Sequence, residues 1–103
     1  MDSVTEQIAS EVKIFVESLK GRFVIRNAYL FGSRAERRAR ADSDIDIGLI
    51  VGGGLSPVDR RELFALGKEF DIDFDIVALS EREFETEDQV IVHEIKTKGI
   101  RLA

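Results

Sequence analysis

The chain has no cysteine among its 103 residues, which excludes disulfides, thiolate zinc sites and cysteine nucleophiles. Its single histidine, His93, leaves no histidine-based metal cluster and argues against a Ser-His-Asp hydrolase. No apolar run approaches the ~20 residues of a membrane span. An excess of positive charge is also lacking. The 15 Lys+Arg stand against 20 Asp+Glu, a formal net charge of −5, so no general phosphate-neutralising surface for direct nucleic-acid binding is expected. The start, Met1-Asp2-Ser3-Val4-Thr5-Glu6, is acidic and polar, unlike a signal or transit peptide. There is no repeat, low-complexity tract or Pro/Gly/Ser-rich linker. With 44% hydrophobic residues, the expectation is one domain over residues 1–103, soluble and cytoplasmic.

Hydrophobic periodicity predicts a helix over residues 3–20, with Ile8, Val12, Phe15, Val16 and Leu19 at spacings of three and four. Ser3-Val4-Thr5-Glu6 fits a capping box at its start, and Gly21 is its stop. Strands are expected over residues 25–31, 44–51 and 72–79, with a short helix possible between Arg34 and Asp42. Ser56-Pro57 supplies an N-cap and a first-turn proline for a helix over residues 57–70, with Leu63, Phe64, Leu66 and Phe70 inward. A last helix is expected after a Thr86–Gln89 cap, ending at Gly99 as its C′ residue, with residues 100–102 as a closing strand. Together these predict an α/β (α+β) domain with a sheet of three to four strands and helices packed on one face.

Chemistry concentrates between the first two strands. Asp44 and Asp46 lie two apart on a strand, so their carboxylates share one face, roughly 6.6 Å apart along the chain. Paired carboxylates on a rigid strand are hard oxygen ligands suited to Mg²⁺. Asp73 or Asp75 brings a further acid from the next strand, and Ile45, Ile47, Ile72 and Ile76 make the opposite face apolar. Upstream, Gly32-Ser33 follows a strand. The glycine permits close backbone approach to a phosphate, and the Ser33 hydroxyl and adjacent N–H groups can hold it. Arg34, Arg37, Arg38 and Arg40 follow at once. A phosphate cradle, an acid pair and a local basic segment point to phosphoryl or nucleotidyl transfer from a nucleoside triphosphate.

Gly32-Ser33, ten residues, then Asp44-Ile45-Asp46 resembles the pattern of the minimal nucleotidyltransferase (MNT) family in the DNA polymerase beta-like superfamily. Leu30-Phe31, Arg34-Ala35, Asp42-Ser43, Phe74-Asp75-Ile76-Val77 and Gly99-Ile100-Arg101-Leu102 are similar to it as well. Where the family often has glycine after the Arg-Ala pair, this chain has Glu36-Arg37-Arg38. The resemblance implies the small nucleotidyltransferase fold with a mixed sheet. It implies that Asp44, Asp46 and Asp75 bind Mg²⁺, two ions in the family pattern, and that Gly32 and Ser33 hold the triphosphate, with Arg34 as the candidate for substrate contact. Asp75, rather than Asp73, would also help deprotonate the acceptor. Stand-alone members of this size are commonly antitoxins of HEPN-domain toxins. The resemblance therefore implies transfer of AMP from ATP to a tyrosine hydroxyl of a HEPN toxin partner, in a toxin–antitoxin complex. Two alternatives stand beside it: a binding-only antitoxin that occludes its toxin with a vestigial metal site, and a small-molecule nucleotidyltransferase.

Other readings of these residues fail or are plainer. An EF-hand beginning at Asp42 would need glycine where Ile47 stands and glutamate where Gly53 stands. No Gly-Lys-Ser/Thr phosphate loop occurs. Arg38 and Arg40 read as a solvated face, Tyr29 as a packing residue, His93 as a surface residue, and the acids from Glu81 to Asp88 as a solvated connection.

Overall fold

The computed structural model describes residues 3–32, 45–70, 74–86 and 89–102. The expected short helix after Arg34, and the candidates Ser33, Arg34, Asp44 and Asp73, lie outside the described residues. So does the Ser3 side chain expected to cap the first helix. The elements run α1 (Ser3–Leu19), β1 (Val24–Phe31), β2 (Ile45–Gly52), α2 (Pro57–Lys68), β3 (Phe74–Ser80), α3 (Glu81–Thr86), α4 (Val90–Lys98) and β4 (Ile100–Arg101).

The four strands form one mixed sheet in the order β3-β2-β1-β4. β2 pairs antiparallel with β1 and parallel with β3, and β4 closes antiparallel on β1. The parallel pair needs a crossover, and α2 provides it. Ser56 starts α2 with a reciprocal cap: its hydroxyl accepts from the Asp59 N–H, and Asp59 accepts from the Ser56 N–H. Pro57 adds a fixed φ where no N–H is needed.

One sheet face is the main core. Ala28, Leu30, Ile45, Ile47, Leu49, Val51, Phe74 and Ile76 meet Ile8, Val12, Phe15 and Leu19 of α1 and Leu63 of α2. Phe15 sits edge-on to Phe70 and Phe74, at 5.4 and 5.7 Å between ring centres. These are favoured aromatic geometries.

The expected placement of helices on one face describes α1 and α2, but α4 departs from it. Downstream of Asp46 the alternate positions of β2 are Gly48 and Ile50, which leave apolar surface on the second face. Val92 and Ile95 of α4 cover it, in a cluster with Phe31, Ile50 and Leu79. A side chain at Gly48 would collide with Ile95, its Cδ1 lying 2.9 Å from the Cβ position.

Other differences are local. Phe64, expected inward, is 43% exposed at the β3 side of α2. α2 ends at Lys68, and α4 starts after Gln89 with no side-chain cap. Gly99 is extended (φ −72°, ψ 151°) rather than left-handed, because the chain passes directly into β4, where Ile100 pairs with Leu30. The acidic stretch after Ser80 is not simply a solvated connection: it opens with α3, capped by Ser80 and Glu83 in a reciprocal pair of hydrogen bonds.

Candidate active site

Asp46 and Asp75 are register partners on the adjacent parallel strands β2 and β3. Adjacent strands lie about 4.8 Å apart, so the two carboxylates leave the same sheet face as near neighbours. Both residues are half-buried, while their chain neighbours Ile45, Ile47, Phe74 and Ile76 are buried on the opposite face. This is the arrangement the alternation predicts. Strand pairing adds the register.

The third wall comes from β1. Phe31, its last residue, is 5% exposed and is the register partner of Asp46 on the other side. Gly32 follows with φ +77°, a conformation that disfavours any residue with a Cβ. The space a Cβ would occupy there is filled by the Asp46 carboxylate, whose Cγ lies 3.0 Å from that position. The chain leaving β1 therefore turns directly over Asp46, and only glycine lets it do so. The sequence marks Gly32 as a close-approach residue. The structure places the Asp46 carboxylate on its near side.

Like charges opposite one another on a sheet repel, which a bound cation offsets. Two half-buried carboxylates on rigid neighbouring strands are a hard-oxygen donor set that fits a divalent cation. Among the described residues no group of three or more His, Cys, Asp or Glu is positioned to hold a metal. Asp44, the further candidate ligand, lies outside them.

The remaining candidates separate from this site. Tyr29 stacks on Phe84 at 5.5 Å and lies in the second-face cluster, as a packing residue. His93 is exposed on α4. Beyond the site, Glu83 accepts from the Ser80 N–H, from Arg60 and from Gln89. Partial burial pushes its carboxyl up, but the Ser80 N–H, the Arg60 guanidinium and the Gln89 amide outweigh that and hold it at about 2. This network ties α2, β3 and α3 together. The pattern Ser80-x-x-Glu83 is a capping-box signature that the sequence carried.

The sequence profile of the Polymerase beta, Nucleotidyltransferase family matches residues 13–103, nearly the whole chain. The chain belongs to this nucleotidyltransferase family. No curated protein sequence matches it. Several solved structures share its fold. A toxin–antitoxin crystal structure with AMP-PNP superposes with a TM-score of 0.67 at 21% identity, covering 92% of this chain and 72% of that one. A candidate nucleotidyltransferase from Sulfolobus solfataricus gives 0.64 at 24% identity, covering 92% and 78%. A complex of a tri-AMPylated Shewanella oneidensis HEPN toxin with its MNT antitoxin gives 0.57 at 21% identity, covering 95% and 71%. At these identities the likeness is one of fold: a nucleotidyltransferase domain of the kind found in MNT antitoxins. Within this family fold, Asp46, Asp75 and Gly32 meet at one end of the sheet. No helix among the described residues is long and apolar enough to cross a membrane.

Proposed function

We infer that this nucleotidyltransferase is a Mg²⁺-dependent protein adenylyltransferase, an antitoxin that moves AMP from ATP to a tyrosine hydroxyl of a HEPN toxin and so neutralises it. The observation that carries the reading is the registered pair Asp46 and Asp75 with the Gly32 turn closed over Asp46. The MNT antitoxin structures of the same fold, one of them with a tri-AMPylated HEPN toxin, support the choice of acceptor. The domain acts as a single unit in the cytoplasm.

In this reading Asp44, Asp46 and Asp75 hold the metal, and Gly32, Ser33 and Arg34 hold the triphosphate. Bound Mg²⁺ supplies positive charge that neutralises the phosphate oxygens of the nucleotide. Asp75 takes the proton of the acceptor hydroxyl as its oxygen attacks the α-phosphorus. The bond from the α-phosphorus to the bridging oxygen breaks, and pyrophosphate leaves with that electron pair. Gly32 and Ser33 fix the triphosphate in line for this displacement through backbone N–H groups and the hydroxyl.

The test is intact-mass spectrometry of a cognate HEPN toxin incubated with this protein, ATP and Mg²⁺, beside an Asp44→Asn/Asp46→Asn control. Adenylyl-sized mass gains with the wild type alone are the expected result. No gain, with a stable complex formed by both versions, would replace the enzyme with an occluding antitoxin.

A further inference from the structure

Asp75 stands on β3, an edge strand: β2 pairs with it on one side, and among the described strands none lies on the other. α2 holds that other side at two places. Towards the end of β3 the Ala78 carbonyl accepts from Arg60 Nη1 at 2.6 Å. Backbone direction alternates along a strand, so the Phe74 carbonyl at its start leaves on the same side, and there Gly67 lies against it.

Gly67 is a buried residue in the last turn of α2. Glycine weakens a helix relative to alanine, so its use there calls for a reason. Backbone conformation does not supply one, since the left-handed glycines are Gly21, Gly32, Gly53 and Gly54. Space does. A Cβ at Gly67 would lie 3.1 Å from the Phe74 carbonyl oxygen and 3.2 Å from Ile76 Cδ1, and would overlap Ile76 Cγ1. The missing side chain lets the helix rest directly on the strand. At Gly48, by contrast, the nearest obstacle is the end of the Ile95 side chain, which can turn aside. At Gly67 it includes backbone, so an added methyl must move the strand or the helix.

Phe74 and Ile76 are the chain neighbours of Asp75, and the Phe74 carbonyl belongs to the peptide unit that Asp75 completes. Just beyond Gly67, Phe70 stacks its ring on Phe74 at 5.5 Å, so the end of α2 grips the start of β3 by backbone and by ring. We propose that Gly67 is a positioning residue of the active site: its bare backbone seats α2 on the Phe74–Asp75 peptide and so fixes the separation of the Asp75 and Asp46 carboxylates at which they share a divalent cation. The inference rests on the reading of Asp46 and Asp75 as metal ligands. Gly67 touches neither carboxylate and acts through the strand that carries one of them. Groups that orient metal ligands without touching the metal tune its affinity by about tenfold or more.

The probe is Mn²⁺ alone, titrated into the isotope-labelled full chain while paramagnetic broadening of the amides next to Asp46 and Asp75 is followed, with urea unfolding measured on the same proteins. Gly67→Ala is expected to need about tenfold more Mn²⁺ than the wild type for equal broadening. Should that variant fail to fold, Ile76→Val removes Cδ1 from the same contact without crowding it, and is expected to show a smaller loss in the same direction. Ile8→Val deletes the same methyl group from α1 in the same core, where Ile8 is 3% exposed. It is expected to lower the urea midpoint comparably and to bind Mn²⁺ as the wild type does. Wild-type Mn²⁺ binding by Gly67→Ala, or by Ile76→Val where only that variant folds, would overturn the proposal, as would an equal loss in Ile8→Val. A wild type that shows no broadening at Asp46 and Asp75 would remove the metal site itself and this inference with it, so the wild-type titration tells the two failures apart.

Discussion

On one face of β2, Ile45, Ile47, Leu49 and Val51 form a continuous apolar wall against α1 and α2. On the other, the same strand presents Asp46, then Gly48 and Ile50, which lie under α4, and Gly52, which lies against Arg26 and Glu81. The strand is common to both faces, so its alternation divides its labour. Burial on the first face stabilises the sheet, and the rigidity gained holds two like-charged carboxylates side by side on the second. The stability of the one face and the chemistry of the other should therefore separate under mutation.

The largest stability effect is expected on the first face. Phe15 is 2% exposed and wedged between Phe70 and Phe74, so Phe15→Ala should cost about 3–5 kcal/mol in urea unfolding. Gly32, beside the acid pair, and Gly53, in the bend after β2, share a positive φ, at 77° and 80°, but only Gly32 lies against Asp46; Gly53 has nothing near its Cβ position. Both alanine variants should lose about 1–2 kcal/mol from the left-handed backbone. Gly32→Ala alone should also lose AMP transfer, by about a hundredfold or more.

Glu83 sharpens the comparison because it stabilises without belonging to either face. Its carboxyl falls from an ordinary 4.5 to about 2 on folding, so its contribution is complete above about pH 4.5 and is lost as pH falls towards 2. With Glu83 and Arg60 side chains 26% and 38% exposed, solvent screening reduces that contribution to about 1–2 kcal/mol. Glu83→Gln should lose that amount at neutral pH and show a shallower acid limb in unfolding curves measured against pH. The smallest effect belongs to Arg26, whose ion pair with Glu81 is 59% and 48% exposed. Arg26→Ala should shift the unfolding free energy by less than about 1 kcal/mol, and less again in high salt.

Much of this was legible from spacing alone. The amphipathic face of α1, the Ser56-Pro57 start of α2 and the alternation of Asp46 and Asp75 with isoleucines and phenylalanine are local signals, and each element formed where they pointed. What alternation cannot supply is register. That Asp46 stands opposite both Phe31 and Asp75 follows from strands packing across distant sequence. α3 is six mostly charged residues with no apolar periodicity, and its one local signal is the helix-start pattern Ser80-x-x-Glu83. The cover of the second face by α4 depended on apolar positions spread over three strands, which no single segment displays. Phe64 departs from the inward expectation because helical spacing marks a stripe without saying whether the sheet extends far enough to cover it.

The division between the two faces is tested most directly by measuring AMP transfer and urea unfolding on the same Asp46→Asn protein. Asn keeps the size of the side chain, so the change should cost less stability than Phe15→Ala, while transfer to the HEPN toxin falls by about a hundredfold or more. Transfer that survives, or a stability loss as large as that of Phe15→Ala, would make Asp46 a structural residue and contradict the assignment of the second face as the active site.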